Sequence, residues 1–190
     1  MRHRGWRTGV TLLGALWLGG ITGPARALEP QGDVPEAEGW RIEVLAEGLE
    51  HPWSMAWLPD GSALITERPG RLRYFRDGQL EKTPIAGLPA ICTECGQGGL
   101  LDVSLHPDFA SNRWVYLTFA EGERRANRVA LARGRLEGRR LRDTEVIFRN
   151  ADLKSGGQHF GSRLTWLADG TVLMSIGDGG NPPTAFDGDV

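Results

Sequence analysis

Residues 51–80 read HPWSMAWLPDGSALITERPGRLRYFRDGQL, and this stretch decides the fold. Three short apolar runs, SMAWL, SALITER and RLRYF, are separated by Asp-Gly and Pro-Gly turns, and a further Asp-Gly pair follows the third run. Such turns between runs rich in apolar and β-branched residues are typical of consecutive β-hairpins. The stretch therefore predicts an antiparallel meander of short strands.

The same frame recurs twice along the chain. VSLHPDFASNRWVYLTF and LTWLADGTVLMSIGD each place an apolar strand before a turn that carries an aspartate, and a second apolar strand after it. The turn aspartates of the three units are Asp60, Asp108 and Asp169, and residues 127–150 add two strands joined by a glycine turn. Antiparallel units repeated at a spacing of about fifty residues indicate an all-β fold of the β-propeller type. A β-sandwich is the competing fold, and the repeated turn signature favours the propeller.

Further details follow from the same pattern. WRIEVLAEGL, residues 40–49, alternates apolar and polar residues and predicts a strand, whereas no stretch has convincing helical periodicity. Trp57, Trp114 and Trp166 fall on strand positions, which favours core packing over sugar stacking. A closed propeller needs about four to eight blades. We therefore expect only about the first three blades here, as the front portion of a longer protein.

The N-terminus predicts export. MRHRGWR is a positively charged region, TGVTLLGALWLGGITG is an apolar region, and ARA ends at Ala27 as a cleavage site for a signal peptide. A retained N-terminal anchor is the alternative, although the apolar region is short for a bilayer span. The resulting domain prediction is a signal peptide at 1–27, a flexible lead-in at 28–39 and a partial propeller domain at 40–190. The expected location is periplasmic or secreted.

The charge composition excludes two classes of partner. Lys and Arg number 22 and Asp and Glu number 24, for a formal net charge of −2. Without a basic stripe or a basic amphipathic helix, the sequence predicts no binding to nucleic acid or to a membrane surface. No later apolar stretch is long enough to cross a bilayer, so we expect no membrane span after signal cleavage. The oligomeric state cannot be deduced from these residues.

The two cysteines, Cys92 and Cys95, lie in CTEC. A C-x-x-C pair is compatible with half of a zinc site, a redox motif or a local disulfide. Zinc would need two more ligands, and no second Cys or His pair lies at a suitable spacing. A thioredoxin-like motif would need a βαβ setting, which the flanking residues do not provide. In an exported chain, a local disulfide is the favoured interpretation.

Three motifs, GQGGLLDVSLHPDF, GGQHFGSRL and MSIGDGGN, occur in this order. With them, the sequence from about Trp40 to about Asn181 resembles the soluble sugar dehydrogenases that depend on pyrroloquinoline quinone (PQQ). This is the glucose/sorbosone dehydrogenase family, and the resemblance is to its aldose sugar dehydrogenase branch. It implies a six-bladed propeller with PQQ over the central channel near a calcium ion. The implied activity is oxidation of the anomeric hydroxyl of aldose sugars to lactones, with hydride transfer to PQQ.

The resemblance also assigns roles to three residues of this chain. His159 would be the catalytic base, Asp178 would contact it, and Gln97 would lie at the substrate and cofactor site. It places the calcium ligands and most of the basic PQQ contacts beyond Val190, so we assign no metal ligand and expect the fragment alone to be inactive. The sugar and the electron acceptor stay unknown.

The chemistry of the residue types agrees with these roles. An imidazole titrates near neutral pH and is the usual general base, and an aspartate on its other ring nitrogen fixes the tautomer. His159 precedes the predicted strand RLTWL and Asp178 follows the next strand, TVLMSIG. In an antiparallel hairpin these two ends lie side by side, so the pair can meet. His51 and His106 each precede a proline and are interpreted as turn residues.

Two alternative functions compete with the dehydrogenase. One is a secreted propeller that binds a carbohydrate or a protein without redox chemistry, which would not need the pair of His159 and Asp178. The other is a lactone-hydrolysing propeller, which would need several calcium-binding Asp, Glu or Asn side chains around its channel.

Overall fold

The described residues form antiparallel sheets with almost no helix. The computed structural model describes residue 39 and residues 43–180. The first sheet follows chain order and contains β1 (Pro52–Trp57), β2 (Ala63–Glu67), β3 (Arg71–Arg76) and β4 (Gln79–Leu80). The meander predicted from residues 51–80 is therefore confirmed. The predicted signal peptide and the lead-in, apart from Gly39, lie outside the described residues.

The second sheet has longer strands and one unpredicted helical turn. It contains β5 (Leu100–Leu105), β6 (Trp114–Glu123), β7 (Ala126–Glu137) and β8 (Arg140–Arg149), again in chain order. Between β5 and β6 lies the helix α1 (Phe109–Asn112), whose four residues are too few for a helical period to be visible in the sequence. His106 belongs to this turn, because its Nδ1 accepts a hydrogen bond from the backbone N–H of Asp108 at 3.0 Å.

The third sheet consists of the hairpin β9 (Arg163–Trp166) and β10 (Val172–Ser175). Its turn is stabilised by Asp169, whose carboxylate accepts the backbone N–H of Thr171 at 2.9 Å. Asp60 does the same for Ser62 at 3.0 Å in the first sheet. Aspartate is common in turns because its side chain can bond to the backbone two residues on, which explains the turn signature at Asp60 and Asp169. Asp108 differs, because it precedes α1 and its side chain makes no capping hydrogen bond to that helix.

Two detailed predictions are wrong. Residues 43–49 form no strand, although Ala46 and Leu49 pack against the apolar cluster that contains Phe75. Val44 and Leu45 are exposed, at 71% and 52%, so the alternation of apolar residues does not mark a buried face of a strand there. Trp57 lies at the end of β1 and is 50% exposed, with only an edge contact to Phe75, so it is not a core residue.

The main core lies between the first and second sheets. It is built from aliphatic and aromatic side chains of both sheets, among them Leu64, Leu72, Tyr74, Leu100, Val115, Leu117 and Phe119. A smaller cluster joins the second sheet to the hairpin β9–β10 through Tyr116 and Leu164, with Trp114 and Trp166 half-buried against it. The three sheets are thus packed one beside the next, which agrees with consecutive propeller blades; six blades in a closed ring stay a prediction. Among the described residues, no helix has the length and apolar character to cross a bilayer.

Candidate functional site

Three segments meet at one end of the second and third sheets. Gln97 lies in the loop before β5, His159 lies in the loop before β9, and Asp178 lies just after β10. The structure brings all three together: Nδ1 of His159 is 2.6 Å from Oδ1 of Asp178, and the backbone N–H of His159 donates to Oε1 of Gln97 at 3.0 Å. The candidate site is built around His159.

The hairpin pairing explains why His159 and Asp178 meet. Arg163 at the start of β9 pairs with Ser175 at the end of β10. Beyond these strands the two chains stay together, because the N–H of Gly177 donates to the carbonyl of Phe160 at 2.7 Å. The hairpin geometry deduced from the sequence therefore delivers the contact between the two side chains.

Asp178 is held as a carboxylate. The backbone N–H of Gly180 donates to its Oδ1 at 2.9 Å. This bond, and after it the hydrogen bond from His159, lowers the pKa of Asp178 below its ordinary value of 3.8. An ionised carboxylate only accepts hydrogen bonds, so Nδ1 of His159 carries the proton of the shared bond.

The other ring nitrogen of His159 is left as a base. In the neutral ring with a protonated Nδ1, Nε2 carries a lone pair. Within the part of the chain that the structure describes, Nε2 has no hydrogen-bond partner, and the side chain is 52% exposed. The arrangement can therefore accept a proton from a molecule that reaches Nε2.

The backbone of His159 has an unusual conformation. Its φ of +57° lies in the left-handed region, which is uncommon for residues other than glycine. The conformation is maintained by the bond from its N–H to Gln97 and by the bond from the N–H of Gly179 to its carbonyl at 3.2 Å. Strained residues of this kind cluster at functional sites.

The bond between Gln97 and His159 was not visible in the sequence. The resemblance makes Gln97 a contact of substrate and cofactor, and its position before a strand of an earlier unit predicts that it lies at the same end of the propeller as His159, but neither predicts a bond between them. In the structure it also fixes the backbone of His159, and its own N–H donates to the carbonyl of Gly157 at 2.7 Å. Gln97 and His159 are 62 positions apart, in loops that precede strands of different sheets, so no local pattern could predict this contact.

A cleft of about 130 Å³ opens beside His159 and Asp178. Its lining includes two basic residues, Arg128 and Lys154, and the acidic Asp152. Nζ of Lys154 lies 3.7 Å from the ring centre of Phe160 and donates to the carbonyl of Gln158 at 2.8 Å. Burial lowers the pKa of Lys154. The sequence did not point to either basic residue. Arg128 is one of several arginines along β7, and nothing in the spacing around Lys154 distinguishes it.

Cys92 and Cys95 form a disulfide, as favoured from the sequence. Both are buried and pack in a cluster with Phe160, the residue after His159. The carbonyl of Cys95 accepts the N–H of Gly98 at 2.8 Å. The disulfide therefore closes the chain two residues before Gln97, in the same loop.

No metal site is found in the described part of the chain. No group of three or more His, Cys, Asp and Glu side chains there is placed to hold an ion. Residues 181–190, which include the last two aspartates, lie outside the described residues.

Fold and site together define an all-β protein with a histidine–carboxylate pair beside a cleft. The family model described as "Glucose / Sorbosone dehydrogenase" matches residues 49–189. The chain belongs to the glucose/sorbosone dehydrogenase family.

Similar proteins include an uncharacterised protein of Synechocystis, slr1608, which is 51% identical over 183 residues, 90% of this chain and 44% of that protein. The aldose sugar dehydrogenase YliI of Escherichia coli is 40% identical over 150 residues, 77% of this chain and 40% of that protein. The apo form of the soluble aldose sugar dehydrogenase of E. coli matches in structure with a TM-score of 0.70 at 40% identity, over 76% of this chain and 43% of that chain. The PQQ-bound aldose sugar dehydrogenase of Streptomyces coelicolor matches with a TM-score of 0.60 at 27% identity, over 77% of this chain and 43% of that chain. The chain thus spans less than half the length of these relatives.

Proposed function

We propose that these residues form part of the active site of an exported, PQQ-dependent aldose dehydrogenase. The observation that carries the proposal is the 2.6 Å contact between Nδ1 of His159 and Asp178, with Nε2 free of partners among the described residues. The substrate would be the cyclic form of an aldose sugar, and the product would be its lactone. Membership of the glucose/sorbosone dehydrogenase family supports this substrate class.

His159 would remove the proton of the anomeric hydroxyl at Nε2. The oxygen keeps the electron pair of the broken O–H bond and forms the carbonyl, while the C–H bond of the anomeric carbon breaks with its electron pair. When bound, PQQ supplies the acceptor for this hydride. The imidazolium that forms on His159 is stabilised by Asp178, which the Gly180 N–H helps to keep ionised.

The residues beside the pair fit an anionic quinone. PQQ carries carboxylates, and the cleft offers basic side chains next to His159. Lys154 has three donor hydrogens, of which one is used on the carbonyl of Gln158. Lys154 and Gln97 would hold the cofactor, and the bond from Gln97 to the His159 backbone would keep the base in place.

Calcium and export belong to the proposal as well. Calcium would act as a Lewis acid on the quinone, and chelation followed by re-addition of Ca²⁺ tests this. Export is tested by sequencing the N-terminus of the protein from the periplasm or culture medium. A chain that begins at Leu28 would support cleavage after Ala27, whereas an intact N-terminus would contradict it.

The base assignment is tested by His159→Ala in the protein expressed from its complete reading frame. Turnover of an aldose is followed with PQQ, Ca²⁺ and a dye acceptor, and PQQ binding is titrated separately. We expect the kcat to fall by about 10²–10⁴-fold, the usual contribution of a general base, with PQQ binding little changed. His106→Ala is the matched control, because His106 is bonded within the turn before α1 and should affect stability alone. Near-normal turnover in His159→Ala would refute the assignment.

A further inference from the structure

A buried carboxylate in the middle of β5 makes contacts that the proposed reaction does not use. Asp102 is only 1% exposed in the run LLDVSL, whose neighbouring residues Leu101 and Val103 are buried and apolar. Aspartate is disfavoured in strands, and burying its charge is costly unless it is paired or hydrogen-bonded. An aspartate in this position therefore needs a specific reason.

The reason lies in the contacts that Asp102 makes with two other sheets. Its Oδ1 accepts the hydroxyl of Ser54 in β1 at 2.5 Å and Nη1 of Arg163 at 3.2 Å. Its Oδ2 accepts the backbone N–H of Leu164 in β9 at 2.6 Å. The N–H of Asp102 itself donates to Thr118 at 2.9 Å, which fixes the residue within its own sheet. All oxygens of this carboxylate are thus committed to holding neighbouring sheets.

The contact with Leu164 is one of a row. Gln97 accepts from His159, Asp102 accepts from Leu164, and Ser104 accepts from the indole N–H of Trp166 at 3.0 Å. Each of these three bonds joins residues 62 positions apart. β9 therefore lies along β5 in one fixed register, and side chains of the second sheet set that register.

The row matters because the third sheet is small. β9 and β10 have four residues each, and a two-stranded hairpin is marginally stable alone. The six residues from His159 to Leu164, called here the His159 segment, are held at one end by Gln97 and at the other by Asp102. The position of His159 then depends on both bonds.

We propose that Asp102 is a positioning residue for His159, acting through the backbone N–H of Leu164. Its bearing on catalysis rests on the proposed function, whereas its effect on the geometry of His159 does not. Loss of the bond would release one end of the His159 segment and disturb the contact between Nδ1 and Asp178. A misplacement of about 1 Å can lower turnover by about 10²-fold.

Two measurements on the protein from its complete reading frame test the proposal without assuming activity. Hydrogen exchange of the Leu164 amide reports whether its bond is intact. The ¹⁵N resonances of the His159 ring, assigned with His159→Ala, report whether the proton resides on Nδ1. The proposal requires that these two readouts change together in every variant.

In Asp102→Ala we expect the Leu164 amide to exchange faster and the proton of the His159 ring to reside no longer on Nδ1 alone. If the protein oxidises aldoses, we also expect kcat to fall by about 10²-fold with a smaller change in KM. Arg163→Gln removes the charged partner but leaves the Leu164 bond, and Ser104→Ala removes only the bond to Trp166. Both controls should keep the wild-type tautomer of His159.

If Asp102→Ala does not fold, the same two measurements are made on Asp102→Asn. An amide has a single acceptor oxygen for the three donors, so at least one bond is lost, and exchange at Leu164 shows which. An unchanged His159 tautomer with an exposed Leu164 amide would overturn the proposal, as would an altered tautomer with a protected amide. Absence of sugar oxidation in the wild type would count against the proposed function and leave these readouts valid.

Discussion

Substitution of Gly177 should distort the geometry of the site around His159. A Cβ on Gly177 would lie 2.5 Å from the carbonyl oxygen of His159 and 3.0 Å from the carbonyl carbon of Phe160. Ordinary van der Waals contact begins at 3.4 Å, so Gly177→Ala must separate the two backbone segments by about 0.9 Å. Neither contact is with a flexible side chain, so the chain itself has to move.

The movement falls on the pair of His159 and Asp178, because Gly177 directly precedes Asp178 and the displaced atoms include the carbonyl group of His159. It also weakens the bond from the N–H of Gly177 to the carbonyl of Phe160. Since a misplacement of about 1 Å can cost about 10²-fold in rate, we expect the kcat for an aldose to fall by about 10²-fold. The assay is dye-coupled turnover with PQQ and Ca²⁺, together with the ¹⁵N spectrum of the His159 ring.

Gly170→Ala is the matched control within the same hairpin. Gly170 has a φ of +85° and nothing within 4 Å of the position of a Cβ. An alanine there is strained by about 1–2 kcal/mol but contacts no residue of the site. We expect a lower melting temperature with an unchanged kcat. A kcat within about threefold of wild type in Gly177→Ala, or an equal loss in both variants, would refute the reasoning.

Three further predictions concern Asp178 and the disulfide. Asp178→Asn keeps an oxygen for the N–H groups of His159 and Gly180 but removes the negative charge. Because charge-assisted bonds are about twice as strong as neutral ones, kcat should fall by about 10–10²-fold, which is less than in His159→Ala. An unchanged kcat would contradict this. Since the folded state lowers the pKa of Asp178 below 3.8, its charge contributes to stability above that pH, and the contribution is lost as the pH falls through the folded pKa. The difference in unfolding free energy between wild type and Asp178→Asn should therefore shrink as the pH falls below about 4 in acid titrations, and a difference that grows there would contradict the sign. Replacement of Cys92 and Cys95 by alanine should lower the free energy of unfolding by about 2 kcal/mol, as expected for so short a loop, and denaturant unfolding measures this. The replacement should also speed amide exchange at Gln97. Equal exchange rates would show that the disulfide does not support that loop.

The sequence predicted those features that depend on local chain geometry. The turns at Asp60 and Asp169 follow from side chains that bond to the backbone two residues on. The contact between His159 and Asp178 follows from the pairing within one hairpin, because the register of a short turn brings known residues side by side.

Contacts between sheets could not be predicted in this way. The bonds of Gln97 and Asp102 to the third sheet depend on how β9 lies along β5, and a local sequence pattern carries no information on that register. The exposure of Trp57 was missed for a related reason. Alternation along β1 shows which residues share a face of the sheet, but it does not show whether another element of the described chain covers that face.

The glycines of the three motifs do more than form turns, because several of them allow close packing of the loops. A Cβ on Gly96 would lie 2.6 Å from the carbonyl oxygen of Gly157, and one on Gly98 would lie 2.9 Å from the ring of Phe160. Together with Gly177 against His159, these positions mark places where the loops of the second and third sheets pack closely. At Gly96 and Gly177 glycine is required because two backbones approach so closely that any side chain would separate them, and at Gly98 it leaves room for the ring of Phe160. A glycine-rich sequence around a histidine would usually be interpreted as flexible. Here the glycines allow the loops of Gln97, His159 and Asp178 to contact one another directly. The half-exposed His159 is thereby held in a strained conformation, and among the described residues its Nε2 has no hydrogen-bond partner.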